Sequence, residues 1–315
     1  MLFKWNKLKL LTAGLVACLL VVIGFKVIQK IDQKGCINLV DDLENSTLDI
    51  KTSERVRYIA IGDTGTNDEI QHAIAKSIKK VCDQKGCDFV LLLGDNFYEN
   101  GVLSVDDPLF NDMFLDPYEL VDVPFFAVLG NHDVRGNTAA QAYFTLKATN
   151  WNMPNYSYNF TWGPASFFAL NTNCFFLQWS DLLQKLEKSN SKWNIVFGHH
   201  TLYSSGAHGD PAGIVQTAWN QYVGSFIDFY YSGHDHHLEH LTVKGEKTEY
   251  LVSGAGGKNY SYNQDDSFKK ASNGESQFVY KHNGFVWTDI TQDQIEVSYF
   301  DIDGKKIYSF IKTKD

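Results

Sequence analysis

Five times in this chain an apolar run stops at a glycine, and the residues that follow carry a group able to bind a metal ion. The runs end in Gly62-Asp63, Gly94-Asp95, Gly130-Asn131-His132, Gly198-His199 and Gly233-His234-Asp235-His236. Short apolar runs of about four to eight residues read as buried strands. Glycine lets the backbone turn sharply as it leaves a sheet. One such turn says little, because Gly-Asp is common in loops. Five of them require a fold that gathers strand ends on one side. In open α/β sheets, ligands sit at the carboxyl ends of the strands.

The second turn is the richest. FVLLL, residues 89–93, runs into GDNFYENG, residues 94–101. This puts the Asp95 carboxylate at a strand's end and the Tyr98 phenol three residues later on the same turn. Upstream, VRYIAI (56–61) reads as a strand and residues 68–81 as a helix. Its Ile70, Ala73, Ile74, Ser77, Ile78 and Val81 share one face at spacings of three and four. This β-α-β order predicts parallel strands with a right-handed crossover, so both deliver Gly-Asp at the same end. Further strands are expected at 125–129, 194–197 and 226–231, with an antiparallel pair at 156–160 and 165–171. Short helices are expected at 138–146 and 180–187, the latter capped by Ser180. The strand-rich remainder (250–253, 285–290, 295–300 and 307–311) is expected to close a second sheet. Gly254-Ala255-Gly256-Gly257 follows one of these strands as a flexible loop.

The 315 residues suffice for one catalytic domain with decorations. Lys+Arg of 28 against Asp+Glu of 37 gives −9. No basic block appears, so nucleic-acid binding has no electrostatic footprint. Residues 1–30 stand apart. Lys4, Lys7 and Lys9 precede an uncharged run, 10–25, which reaches roughly 24 Å at about 1.5 Å per residue. That is slightly short of a hydrocarbon core of about 30 Å. Val27 and Ile28 extend it if Lys26 snorkels. A signal anchor, a cleaved signal peptide and a lipoprotein signal at Leu15-Val16-Ala17-Cys18 all fit. Each sends the remainder out of the cytoplasm, to a periplasmic, extracellular or luminal location. Residues 31–54 are polar and read as a linker or irregular lead-in, leaving 55–315 as the catalytic domain. Among Cys18, Cys36, Cys82, Cys87 and Cys174, only Cys82 and Cys87 flank a turn-like stretch. They close a small disulfide loop in an oxidising compartment or remain two thiols. Their spacing is not a zinc pattern. Asn45, Asn155, Asn159 and Asn259 open N-glycosylation sequons.

The series GDTG, GDNFYENG, GNHD, GHH and GHDH resembles the calcineurin-like metallophosphoesterases. Tyr98 within GDNFY, and His208 nine residues after His199, make the chain similar to the purple acid phosphatases of the small single-domain type. The resemblance covers about residues 56 to 300. It implies an α/β fold, a four-layer α/β/β/α sandwich of two mixed sheets. It also implies two metals. The first is held by Asp63, Asp95, Tyr98 and His236, the second by Asp95, Asn131, His199 and His234, and Asp95 bridges. A phenolate is a hard, strongly donating anion that suits Fe(III), whereas an amide and neutral imidazoles suit Fe(II), Zn or Mn. The mixed donor set favours octahedral borderline metals over tetrahedral structural zinc. His132 and His208 fall outside the ligand count; by resemblance they contact the phosphate and protonate the leaving group. The implied activity is hydrolysis of small phosphate monoesters at mildly acidic pH. A Mn- or Fe/Mn-dependent phosphodiesterase of the same superfamily is the alternative. A non-catalytic binding protein keeping the fold is a third reading, opposed by the complete ligand motifs. The membrane is a partner only through residues 1–30, if they stay attached. Thr64 departs from the family, whose better-known members carry Trp in that turn, and it implies altered packing.

Taken singly, Asp63 and Asp95 would more often be turn residues, and Tyr98 a packed aromatic. His200, His237 and His240 read as supporting residues, and Asp133 and Asp235 as groups that orient neighbouring histidines or backbone. His72 and His282 read as surface. Tyr203 either contacts substrate or packs.

Overall fold

The computed structural model describes residues 35–37, 39, 52–211, 213–259 and 274–314. The apolar run at 10–25, Cys18, Asn45 and most of the polar lead-in lie outside the described residues. Two seven-stranded sheets make up the domain. The first runs in the order β14 (Lys306–Thr313), β13 (Gln294–Asp301), β12 (Gly284–Thr291), β1 (Arg55–Ile61), β2 (Phe89–Leu92), β3 (Phe125–Ala127) and β4 (Trp151–Asn152). The second runs β11 (Gly274–Tyr280), β9 (Leu238–Val243), β10 (Glu249–Ser253), β8 (Phe229–Ser232), β7 (Trp193–Phe197), β6 (Ala165–Ala169) and β5 (Tyr158–Trp162). Strands β1 to β4 are parallel, as are β6, β7, β8 and β10. Both sheets are therefore mixed, as the sequence implied.

The helices are α1 (Glu69–Lys85), α2 (Thr138–Tyr143), α3 (Phe175–Glu187) and α4 (Gly213–Tyr222). The Asp68 carboxylate caps α1 by accepting the Gln71 N–H, which satisfies one of the helix's unpaired donors. Ile74, Ile78 and Val81 of α1 are buried with the first sheet. Strand alternation shows how the layers stack. Ile195 and Phe197 of β7, Phe229 and Tyr231 of β8 and Leu251 of β10 enter the central core between the sheets. The intervening Val196, Tyr230 and Val252 pack on the other side with Leu182 and Leu186 of α3 and with Trp219 and Val223. Strands buried on both faces read as continuous apolar runs. Each such side chain contributes roughly 1.5–3 kcal/mol on burial.

Two expectations change. Residues 284–313 join the first sheet, where β12 pairs antiparallel with β1 and Val56 faces Ile290. They do not close the second sheet. An alternating pattern marks a strand but carries no address for its partner. Helix α3 begins at Phe175, five residues before Ser180, and its N-cap residue, Cys174, is bonded to Cys36. That disulfide has no signature in the spacing, since 138 residues separate its cysteines. Cys82 and Cys87 form the second disulfide. Two disulfides point to an oxidising compartment. Among the described residues, no helix is long and apolar enough to cross a membrane.

Candidate metal centre

The carboxyl ends of β1, β2, β3, β7 and β8 converge, and the loops that follow them bring the expected donors within reach of one another. Tight backbone geometry makes the convergence possible. A Cβ at Gly233 would lie 2.5 Å from Asp63 Oδ2, and one at Gly130 would collide with the Asp95 carboxylate. Only glycine allows the loops to close on these side chains. Asp63, Asp95 and His234 adopt left-handed φ angles of 58°, 52° and 69°. Residues forced into this region concentrate at functional sites.

The donors form two groups around Asp95. On one side, the Tyr98 hydroxyl donates to Asp63 Oδ1 at 3.0 Å, and His236 Nε2 lies 3.4 Å from both the Tyr98 oxygen and Asp63 Oδ1. On the other, His199 Nε2 lies 3.0 Å from Asn131 Oδ1, 3.2 Å from His234 Nδ1 and 3.5 Å from Asp95 Oδ2. Ligand atoms of Asp63, Asp95 and His199 all fall within 4.8 Å of one another. Asp63 and Asp95 are almost fully buried. Among the described residues, their only ion-pair partners are imidazoles. Buried carboxylates are costly without a compensating cation.

Protonation follows from the neighbours. The Leu93 carbonyl accepts a bond of 2.9 Å from His199 Nδ1, so Nδ1 carries a proton and Nε2 is the ring atom turned inward. Such a bond fixes the ring orientation. Nε2 faces the oxygens of Asn131 and Asp95, three atoms that a shared cation would draw together. Burial opposes charge on His199, but the fields of Asp95 and Asp63 outweigh it and raise its pKa. Burial and the surrounding imidazoles push His234 far down, which keeps it neutral. Burial, then the charges of Asp63 and Asp95, push the Tyr98 phenol far up. The donor set thus fits a pair of metal ions.

The support groups are as informative as the donors. Asp133, fully buried, accepts from the backbone N–H groups of Asn96, Phe97 and Gly130 and from Asn96 Nδ2, pinning the Asp95 turn to the Asn131 turn. Burial and Asp95 raise its pKa, while the bonds from Gly130 and Asn96 act against them. Asp235 accepts from the His208 N–H at 2.9 Å and from the Ser204 hydroxyl. It thereby ties the His208 loop to the His234 turn. His208 stacks on His234 with ring centroids 4.2 Å apart. His132 gives its N–H to Asp95 Oδ1 at 2.8 Å and aims Nε2 at Asp95 Oδ2, 4.0 Å away. His237 and His240 are structural, paired with Glu239 and Glu249 at 2.9 Å. Tyr203 is buried and bonded to Asn220, a packing role. Asn155 is buried with its side chain on the Leu39 backbone, which removes it as a glycan acceptor. Sequence reading missed Lys258, whose ammonium lies 4.7 Å over the Tyr98 ring and 3.0 Å from Glu99 Oε1. Its one signal was its place immediately after the glycine loop.

Carboxylate, amide, imidazole and phenol donors at the shared strand ends of two facing mixed sheets define a dinuclear-metal hydrolase. The calcineurin-like phosphoesterase profile matches residues 56–238. Purple acid phosphatase 3 of Arabidopsis thaliana is 30% identical, over 84% of this chain and 79% of its own length. Human tartrate-resistant acid phosphatase type 5 is 28% identical, over 80% and 89% respectively. The chain belongs to the calcineurin-like phosphoesterases and, within them, to the purple acid phosphatases, a family that uses a binuclear metal centre; it is a phosphatase with a group of residues able to bind metal. Among solved structures, GAP50, the anchor in the inner membrane complex of Plasmodium, superposes with a TM-score of 0.69 at 25% identity, covering 84% of this chain and 90% of that one.

Proposed function

We propose that residues 55–315 form the catalytic domain and hydrolyse small phosphate monoesters at mildly acidic pH. Asp63, Tyr98 and His236 would hold one metal, a ferric ion, and Asn131, His199 and His234 the other, Fe(II), Zn or Mn, with Asp95 shared. Bound there, such a pair supplies Lewis acidity, neutralising phosphoryl charge and lowering the pKa of water. The chain's own residues do the rest. His132, partly exposed at the rim, offers Nε2 to a phosphate oxygen. Water gives up a proton to solvent and adds to phosphorus as the ester P–O bond breaks, while His208 gives a proton to the departing alkoxide and regains one from solvent. Imidazoles titrate near about 6.5 as a class, which suits a general acid at mildly acidic pH.

The observation that carries this reading is two buried carboxylates whose only ion-pair partners among the described residues are imidazoles. The experiment is metal analysis with a phosphomonoester and phosphodiester panel across pH. Two metals per chain and a monoester preference below pH 7 are expected. Faster diester turnover would favour the phosphodiesterase alternative. The likeness to GAP50 and the apolar run at 10–25 favour a second reading, a membrane-tethered docking protein. It predicts no turnover on any phosphoester with both metals bound. Under either reading the catalytic domain lies outside the cytoplasm, in keeping with the disulfides.

A further inference from the structure

The strand β6 leads into a short turn, Thr172–Cys174, that belongs to neither the donor set nor the core of either sheet. The Thr172 oxygen accepts the backbone N–H groups of His199 at 3.3 Å and His200 at 2.9 Å, and it pairs with His200 Nδ1 at 2.8 Å. Its methyl fills the space beneath Gly198, where a Cβ would lie 2.6 Å away. Next to it, Asn173 Nδ2 donates to the carbonyls of Leu129 at 3.2 Å and Gly130 at 3.4 Å. One three-residue turn therefore grips the backbone just before Asn131 and at His199. Both belong to the same group of donors.

The other group is held by different means. The Asp63 carbonyl accepts from the Lys258 N–H at 3.1 Å and the Tyr98 N–H donates to the Gly65 carbonyl at 3.0 Å, while Asp133 spans the two groups through Asn96, Phe97 and Gly130.

The turn is itself clamped by residues that precede the domain. Cys174 is bonded to Cys36. Asn171 Nδ2 donates to the Gly35 carbonyl at 2.7 Å. The Leu39 N–H donates to Asn155 Oδ1 at 2.8 Å. Gly35 lies against the Tyr156 ring and Leu129, where an added Cβ would meet both at 3.0–3.1 Å. These residues lie within the stretch that composition marks as a lead-in, yet they bind the domain beside its metal centre.

We propose that the Thr172–Cys174 turn, locked by the Cys36–Cys174 disulfide, is the positioning element for the Asn131/His199 half of the centre alone. This rests on the two-metal reading above. Groups that orient ligands from behind control metal affinity by about 10- to 100-fold. The test uses the full-length chain and three variants: Thr172→Val, Thr172→Ser and the double Cys36→Ser/Cys174→Ser. Metal content and chelator competition are measured beside the visible absorbance that depends on Tyr98. Thr172→Val, which keeps the shape but loses the hydroxyl, should bind the second metal about 10- to 100-fold more weakly while retaining the first metal and the absorbance. Thr172→Ser should restore both, and the cysteine pair should show the same one-sided loss. Thr172→Val holding both metals at unchanged affinity, or releasing both in parallel, would overturn the proposal, as would failure of Thr172→Ser to rescue. An unsubstituted chain with fewer than two metals would instead overturn the two-metal reading.

Discussion

Asp95 is the residue on which both groups of donors depend. Its carboxylate accepts the His132 N–H and lies 3.5 Å from His199, and its φ of 52° is held by the Gly94 and Gly130 turns around it. A strained backbone of this kind costs about 1–3 kcal/mol and survives only where its surroundings over-determine it. Asp95→Asn should therefore lose both metals and lower turnover by about a thousandfold or more, given the several kcal/mol that metal Lewis acidity supplies. Metal analysis finding two ions in that variant would remove the bridging role. Tyr98→Phe is expected to abolish any visible charge-transfer band while leaving the Asn131/His199 group filled; a band that persists would assign the colour elsewhere. These donors were legible because each follows a glycine at the end of an apolar run. Thr172 and Asn173 were not, because they act through backbone atoms of residues distant in sequence, and hydroxyls and amides serve in countless turns.

Helices and strands were legible in proportion to their local signals. Helix α1 announced itself by an Asp68 cap and an apolar face. Strands β1, β2, β3 and β7 announced themselves by apolar runs with glycine ends. Strands β12 to β14 were recognisable as strands but not as neighbours of β1, since pairing is decided by the whole sheet. The start of α3 was hidden because Cys174, at its N-cap, offers no side-chain cap and so no cap signal in the sequence, whereas Ser180 does. The Cys82–Cys87 disulfide lies at the amino end of β2, away from the centre. Breaking it in Cys82→Ser/Cys87→Ser frees a short loop worth about 2 kcal/mol in chain entropy. The expected result is a fall of about 4–8 °C in melting temperature with kcat unchanged; a loss of activity at a temperature where the variant stays folded would contradict this.

For the molecule as a whole, the second sheet carries a charged cluster at the amino end of β10, opposite the strand ends that gather the donors. Glu249 is bonded to His240 at 2.9 Å and to Lys312 at 3.0 Å. Burial acts to raise the Glu249 pKa, but these bonds outweigh it and hold the carboxyl below its ordinary value of 4.5. A depressed folded pKa means the stabilisation is fully present above about 4.5 and is lost as pH falls through the folded value. Melting temperature should thus fall along an acid limb below pH 4.5, and Glu249→Gln should flatten that limb. An identical limb in the variant would show that other carboxylates set it.

The pairing of β12 with β1 also dictates an order of events. The strand that presents Asp63 waits for its neighbour until residues 284–291 have emerged, long after all seven donors have left the ribosome. Contacts so far apart in sequence close late in folding. A chain made only as far as His236 carries every expected donor but not the strand that pairs with β1 on one side. The seat of the Asp63 strand is therefore complete only once β12 has docked beside it.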